Sequence, residues 1–268
     1  MLAKSVISTL SKTYGVGRQE ITILLAHLLN STYHELFFNQ DVDVPEDVVD
    51  HLHECMKLLA FGEPISKIIQ RKEFYGIDFR TNEYTLDPRP ETELIIDLVK
   101  KHNKNASLEI LDLGSGTGCI GLSLLTLYES AKCEFVDIDE NALAVTIENA
   151  NSLALSDRCK FTLSNWFENV SGTFDIITCN PPYVSTNFKL DNRTMFDPAI
   201  ALFAGEDGMD AYHIILPKIK KFLNKGGMAF VEIGFDQRDK VLSIEHGLEV
   251  VSIENDINGI PRVIRVVA

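Results

Sequence analysis

Strand-like and helical segments alternate from Glu91 to the end of the chain, and this alternation restricts the possible folds more than any other feature. Parallel neighbouring strands need a long crossover connection between them, and a helix usually supplies it. The pattern therefore predicts an α/β domain with a mostly parallel, seven-stranded sheet flanked by helices. The expected strands are 108–113, 133–138, 160–163, 174–179, 228–233, 248–253 and 262–267, with helices near 95–100, 120–128, 143–153, 211–223 and 238–245.

The first part of the chain has a different pattern. Between Leu2 and Leu59 apolar residues recur at intervals of three and four, which predicts a small helical domain. Pro45 indicates the start of one helix, and Gly62 indicates its end. Alternating apolar residues on both sides of the polar stretch 80–83 predict a β-hairpin. We expect a helical domain at 1–65, a linker with the hairpin at 66–90 and the α/β domain at 91–268.

Charge and hydropathy exclude several classes of protein. The chain carries 39 acidic and 25 basic side chains, a net charge of −14, which repels phosphate backbones and disfavours stable nucleic-acid binding. No window approaches the roughly 18 consecutive apolar residues that a membrane span requires, and no secretory or transit pattern precedes the helical domain. The five cysteines include no C-x-x-C pair, which favours reduced thiols. We therefore expect a cytoplasmic protein without a membrane partner.

A glycine-rich loop follows the first strand of the α/β domain. Asp112 comes just before this loop, which then runs Gly114, Ser115, Gly116, Thr117, Gly118. A glycine loop between a buried strand and a helix allows a cofactor to approach the backbone. Glycines at 116, 118 and 121, followed by Asp137, also match the fingerprint for a nicotinamide dinucleotide. Asp112 argues for another ligand, because a carboxylate suits the ammonium group of S-adenosyl-L-methionine better than a pyrophosphate.

A second polar motif, Asn180, Pro181, Pro182, Tyr183, ends the fourth predicted strand at the same edge of the sheet. The two prolines hold Asn180 and Pro181 in extended conformations. The Asn180 side-chain oxygen and the Pro181 carbonyl can then accept both hydrogens of a planar NH₂ group, while Tyr183 packs against the group that carries it. The motif predicts a clamp for an amide or an exocyclic amine that receives a methyl group.

With both motifs identified, the sequence resembles class I S-adenosylmethionine-dependent methyltransferases, which have a Rossmann-like fold. More narrowly, it resembles the HemK/PrmC family of protein glutamine-N5 methyltransferases. The resemblance extends over nearly the whole length. It includes the strings 62–65, 73–76, 88–93, 112–118, 180–183, 207–210, 232–234 and 258–262. The string Pro-Arg-Pro-Glu-Thr-Glu at 88–93 is the most family-specific; it is also compatible with simple helix capping.

The resemblance implies an enzyme that methylates the glutamine of the Gly-Gly-Gln motif in class I peptide chain release factors, with the N-terminal helical domain helping to bind that protein. It implies that the loop 114–118 binds S-adenosyl-L-methionine, that Asp137 binds the ribose, and that Asn165 and Trp166 lie near the adenine. It also implies that residues 180–183 bind the substrate glutamine. Asn165 and Asp197 stand where the family usually has Asp and Glu, and the segments 66–70 and 184–195 also depart from its pattern.

Two other functions remain open from the sequence. An Asn-Pro-Pro clamp also fits the exocyclic amine of adenine in a nucleic acid, although the net charge argues against it. A scaffold that binds the cofactor or a translation factor without turnover is the third possibility. A metal site is not expected, because His51 and His53 point to different sides of a helix.

Overall fold

The computed structural model describes residues 1–245 and 247–268. The described residues form two compact units. The first comprises 1–71 together with 191–196, and the second comprises 72–190 and 197–268. In this described part of the chain, no helix is both long and apolar enough to cross a membrane.

The first unit is helical. Its helices are α1 (Ala3–Tyr14), α2 (Arg18–Leu28), α3 (Tyr33–Phe38), α4 (Glu46–Phe61) and α5 (Ile65–Ile69). Their apolar faces meet in one core that includes Leu24, Leu52 and Met56, all fully buried. Helix α4 begins directly after Pro45 and ends at Gly62, whose φ of 106° stops the helix, as the sequence predicts.

The second unit begins with the hairpin of β1 (Arg71–Phe74) and β2 (Ile77–Arg80), although Arg71 itself belongs to the first unit. The expectation of a turn within 80–83 is wrong. The turn lies at Tyr75 and Gly76, whose φ values of 51° and 73° both fall in the left-handed region that tight hairpins require. The apolar residues around Tyr75 predict a strand at this position, whereas the residue carries the turn.

The large sheet confirms the predicted α/β architecture. Within the described residues it has seven strands, and the order is β5-β4-β3-β6-β7-β9-β8. The pairs from β5 to β7 are parallel, and β9 is antiparallel to both of its neighbours. The strands are β3 (Glu109–Leu113), β4 (Lys132–Asp137), β5 (Cys159–Leu163), β6 (Phe174–Cys179), β7 (Leu223–Glu232), β8 (Glu249–Asn255) and β9 (Pro261–Val267).

Helices cover both faces of this sheet. The helices of this unit are α6 (Glu93–His102), α7 (Cys119–Leu127), α8 (Glu140–Ser152), α9 (Ala199–Leu202), α10 (Asp210–Phe222) and α11 (Arg238–Leu242). Adjacent strand residues enter different cores: Ile110 packs with α6 and α7, and Leu111 packs with α10. Both faces are therefore buried, which explains why the central strands read as continuous apolar runs. The turn expected at 226–227 lies inside β7, where its pairing with β6 is irregular.

Candidate active site

The glycine loop and the Asn-Pro-Pro-Tyr motif leave the sheet side by side. Leu113 and Cys179, the last residues of β3 and β6, are partners in the parallel register. Gly114 and Asn180 therefore follow at the same level. Strands β4 and β5 lie on one side of this pair and β7 on the other, so the two motifs flank the point where the strand order reverses. Open α/β sheets bind their ligands at this point.

A cavity of about 300 Å³ opens at this edge of the second unit. It brings together most of the predicted site residues. Those that line it are Gly114, Ser115, Gly116, Thr117, Asp137, Asn165, Trp166, Asn180 and Pro182. The other predicted site residues, all of them described, do not line the cavity. They are Asp112, Gly118, Pro181 and Tyr183.

Four of the five backbone N–H groups of the glycine loop 114–118 donate to other groups of the protein. Those of Gly114 and Ser115 both donate to the carbonyl of Val136, at 2.8 and 2.9 Å. Gly116 N–H donates to Asp137 Oδ2 at 2.8 Å, and Gly118 N–H donates to the carbonyl of Ser115 at 2.7 Å. Loops that bind phosphate direct such N–H groups at the ligand. This loop is therefore poorly suited to a pyrophosphate, which argues against the nicotinamide alternative.

The charges around the cavity agree with that conclusion. Among the described residues that line it, four are carboxylates and one is a guanidinium. The guanidinium belongs to Arg89, which forms an ion pair with the buried carboxylate of Asp197. Burial raises the pKa of Asp137, although N–H groups of Gly116 and Asp139 bind its carboxylate. An acidic cavity of this kind favours a cationic ligand over an anionic one.

Asp112 supports the loop from below. Its side chain is only 1% exposed; Oδ1 accepts from the Thr178 hydroxyl at 2.7 Å and Oδ2 from Gly121 N–H at 3.0 Å. Burial raises its pKa to about 7. The sequence predicts that this carboxylate faces an ammonium group, whereas its hydrogen bonds in the structure join β3 to β6 and to the first turn of α7.

Gly121, the third glycine of the dinucleotide fingerprint, serves packing. A Cβ at this position would lie 2.5 Å from the ring of Phe135 and 2.8 Å from the sulfur of Cys133. The glycine therefore allows α7 to lie directly against β4. This packing explains why position 121 is a glycine, without any role in binding a dinucleotide.

Trp166 forms another wall of the cavity. Its backbone has a φ of 51°, an unusual value for a bulky residue, and strain of this kind concentrates at functional sites. The ring lies against Gly114, where a Cβ would be 3.6 Å from Cζ3. Asn165 donates from Nδ2 to Glu168 at 3.0 Å. Its side-chain oxygen can therefore accept a hydrogen bond from a ligand amine.

Asn180 has one end of its amide bound, while the other end has no partner among the described residues. Nδ2 donates to the Thr92 hydroxyl at 3.1 Å, and Thr92 donates to Glu232 Oε2 at 2.6 Å. Oδ1 of Asn180 is buried and accepts no hydrogen bond from any described residue. An unpaired buried carbonyl is costly, by about 1–3 kcal/mol. Asn180 lines the cavity, so a ligand there can supply the missing hydrogen.

Tyr183 is held by hydrogen bonds at both its ring and its backbone. Its hydroxyl donates to Glu232 Oε1 at 3.1 Å, and burial raises its pKa above the ordinary value. Its carbonyl accepts from Gln237 Nε2 at 2.9 Å. Gly208 packs against this same carbonyl, since a Cβ there would lie 2.3 Å from the oxygen. These contacts give the strings 207–210 and 232–234 a structural role beside the motif.

The sequence did not reveal the roles of Thr92, Glu232 and Gln237. The string 88–93 indicates a functional segment without showing what it contacts, and the sequence alone does not define the role of Glu232. Glu93 from the same string has another task, because its carboxylate accepts from the backbone N–H of Tyr75 at 2.8 Å and holds the hairpin. The sequence does show an acidic residue, Glu232, at the end of an apolar strand. Its role becomes clear only when the order and register of the strands are known.

Known proteins resemble the chain in sequence and in fold. Residues 88–199 match the methyltransferase small domain family. A release factor glutamine methyltransferase from Agrobacterium fabrum (strain C58) is 36% identical over 90% of this chain and 87% of its own length. One from Buchnera aphidicola subsp. Baizongia pistaciae is 33% identical over 91% and 89%. The crystal structure of a methyltransferase from Pyrococcus furiosus superposes with a TM-score of 0.53, at 16% identity over 73% of this chain and 91% of that one.

Longer relatives also match. A bifunctional methyltransferase from Rickettsia bellii (strain RML369-C) is 34% identical over 92% of this chain, which spans 50% of that relative's length. The Pyrococcus structure supports the fold alone. The two relatives of similar length carry the assignment, because the identity extends over the helical unit as well as the α/β unit. The chain belongs to the family of release factor glutamine methyltransferases.

Proposed function

We propose that this protein transfers a methyl group from S-adenosyl-L-methionine to the side-chain amide nitrogen, N5, of a protein glutamine. The most fitting substrate is the glutamine of the Gly-Gly-Gln motif in class I peptide chain release factors. The observation that carries the proposal is the amide of Asn180. Its NH₂ is bound by Thr92, and its buried oxygen lacks a donor among the described residues. The site is thus ready to accept a hydrogen from a ligand.

The cavity fits the cofactor on several counts. Its carboxylates suit a positively charged ligand, and the glycine loop has no spare N–H at Gly114, Ser115, Gly116 or Gly118 for a phosphate. We assign Asp137 to the ribose and Asn165 with Trp166 to the adenine. We assign Asp112 a supporting part beneath the loop. When bound, S-adenosyl-L-methionine supplies an electrophilic methyl group on a cationic sulfur.

The chain's own residues hold the acceptor. Oδ1 of Asn180 accepts one hydrogen of the glutamine NH₂ in the cavity. The carbonyl of Pro181, which accepts the other hydrogen, and the ring of Tyr183, which packs against the amide, complete the clamp beside the cavity, since neither residue lines it. An amide nitrogen is a weak nucleophile, so orientation does most of the work and contributes up to roughly 7–11 kcal/mol. The same two oxygens stabilise positive charge as it develops on the nitrogen, which gives up one N–H proton to water as the N–CH₃ bond forms and the S–CH₃ bond breaks. Loss of one such interaction costs about 10²-fold in rate or more.

The partners and location follow from the same proposal. We propose that the helical domain, predicted at 1–65, binds the release factor. Phe38 and Phe61 of the first unit are each 82% exposed, and aromatic side chains of this kind are common in protein interfaces. The charge of −14 argues against stable nucleic-acid binding. The cysteines are all free thiols in the described chain, which suits the cytoplasm.

The test is a single-turnover assay with labelled cofactor and a purified class I release factor, followed by mass mapping of the product. We expect one methyl group on the Gly-Gly-Gln glutamine, and we expect N180A to reduce its rate at least about 10²-fold. N105A is the matched control, because this exposed asparagine precedes β3 at the opposite edge of the sheet. It should react like the wild type.

Other outcomes would contradict the proposal in identifiable ways. Methyl incorporation into DNA or RNA at moderate salt, with none into the release factor, would indicate a base amine as acceptor. Tight cofactor binding without turnover on any acceptor would indicate a scaffold.

A further inference from the structure

Two buried side chains, Glu232 and Thr92, form with Asn180 a directed series of hydrogen bonds that ends at the cavity. Glu232, at the end of β7, is 1% exposed, and Thr92, just before α6, is 2% exposed. Glu232 Oε2 lies 2.6 Å from the Thr92 hydroxyl, and that hydroxyl lies 3.1 Å from Asn180 Nδ2. The second oxygen of Glu232 lies 3.1 Å from the Tyr183 hydroxyl. One carboxylate therefore contacts both the residue that holds Asn180 and the last residue of the motif.

The carboxylate of Glu232 sets the direction of these hydrogen bonds. An ionised Glu232 has no hydrogen to donate, so the hydroxyls of Thr92 and Tyr183 must donate to it. The hydroxyl of Thr92 has a single hydrogen, and once it is donated the oxygen can only accept. The group of Asn180 that faces Thr92 must then be its NH₂. The amide oxygen must take the other side, where Oδ1 is found unpartnered among the described residues.

We propose that Glu232 and Thr92 are positioning residues that fix which end of the Asn180 amide is presented to the acceptor. This inference rests on the proposed function, because the correct end is defined by the hydrogens of the glutamine NH₂. If the side-chain amide of Asn180 rotated by 180°, Asn180 would present its own NH₂ to the substrate NH₂. Two donors would then face each other, and the clamp would lose one of its two acceptors.

The charges that face Glu232 make the arrangement sensitive to pH. Burial raises its pKa to about 7, and the carboxylate of Glu91 acts in the same direction. The hydroxyls of Thr92 and Tyr183 and the charge of Arg262 on β9 oppose this effect. Arg262 is itself paired with Asp256 at 3.2 Å. Below about pH 7 the protonated carboxyl can donate to Thr92, whose hydrogen is then free to turn toward Asn180 and to stabilise the inverted amide.

The experiment compares T92V, T92S and E232Q with the wild type in methyl transfer to the release factor. T92V replaces the hydroxyl with a methyl group of similar size, and T92S keeps the hydroxyl. We expect T92V to lower kcat at least about 10-fold at saturating cofactor, with a cofactor Kd within about 2-fold of the wild-type value. We expect T92S to retain kcat within about 3-fold, because the direction of the hydrogen bonds is preserved.

The pH profile provides a readout that a packing role would not change. Wild-type kcat should fall as the pH is lowered through about 7, and E232Q should lack this acidic limb, since its amide does not titrate. If E232Q does not fold, the pair T92V and T92S still decides the question. The inference is overturned if T92V keeps its kcat, if T92S loses as much as T92V, or if the limb persists in E232Q. A wild-type protein that methylates no glutamine would instead refute the proposed function itself.

Discussion

The buried carboxyl of Asp112 predicts an unusual dependence of stability on pH. Its pKa rises from 3.8 to about 7 on folding, because burial disfavours the charged form. The folded state therefore holds this proton more tightly than the unfolded state does. The resulting stabilisation is fully present below pH 3.8 and is lost as the pH rises through about 7. Between pH 6 and 8 the loss amounts to about 1–2 kcal/mol, and Glu232, whose pKa is also about 7, adds a similar amount.

The variant D112N isolates the contribution of Asp112. Its amide oxygen can accept from Gly121 N–H, and its NH₂ can donate to Thr178, whose hydroxyl can then turn to the Leu111 carbonyl at 3.5 Å. Urea unfolding at pH 6 and pH 8, followed by circular dichroism, gives the free energy of unfolding. We expect a loss of about 3 kcal/mol from pH 6 to 8 in the wild type and about half of that in D112N. A wild-type protein that is equally stable at both values, or a D112N variant with an undiminished loss, would refute the reasoning.

Two further predictions concern packing and docking. G121A should lower the free energy of unfolding, measured in urea, by about 1–3 kcal/mol. Its Cβ would lie 2.5 Å from Phe135, and the gain of about 1 kcal/mol in helix propensity does not offset that contact. A variant as stable as the wild type would contradict this prediction. F61S should raise KM for the release factor several-fold and leave KM for a short glutamine peptide unchanged, because Phe61 is 82% exposed on α4. I257S serves as the control, because it removes a side chain of the second unit that is 100% exposed. If I257S raised KM for the release factor as much as F61S does, the result would contradict docking at α4.

Periodicity predicted the fold well because it reports burial. The strands β3 and β6 are buried on both faces and read as apolar runs, and helix α4 has a proline before it and a glycine after it. The hairpin was misplaced for a physical reason. Tyr75 carries an aromatic side chain that packs beside the apolar core of the second unit, while its backbone forms the turn. Side-chain hydropathy does not report φ, so the pattern gave the hairpin without its turn.

The candidate site was predictable only where chemistry and chain order coincide. Gly114 and Asn180 come directly after strands, so parallel topology places them together. Thr92 lies 88 positions from Asn180, and Glu232 lies 140 positions from Thr92. No local pattern links residues so far apart, and each contact depends on which strands are neighbours. Asp112 shows the converse, because its position before the loop suggests a contact with the ligand, whereas its hydrogen bonds in the structure support the loop.

Four costly features of the second unit lie at one edge of the sheet, while others, such as the left-handed backbone of Ala154, lie elsewhere. Four features each destabilise the folded state: the buried carboxyls of Asp112 and Glu232, the left-handed backbone of Trp166, and the oxygen of Asn180, which has no partner in the described part of the chain. Three of these four residues lie at or just beyond the carboxyl ends of β3, β6 and β7, and Trp166 follows β5. Features that break the rules of stability mark a binding site, because a ligand can relieve them. A bound NH₂ group that donates to Asn180 would recover about 1–3 kcal/mol, so the substrate itself completes the hydrogen bonding of the site.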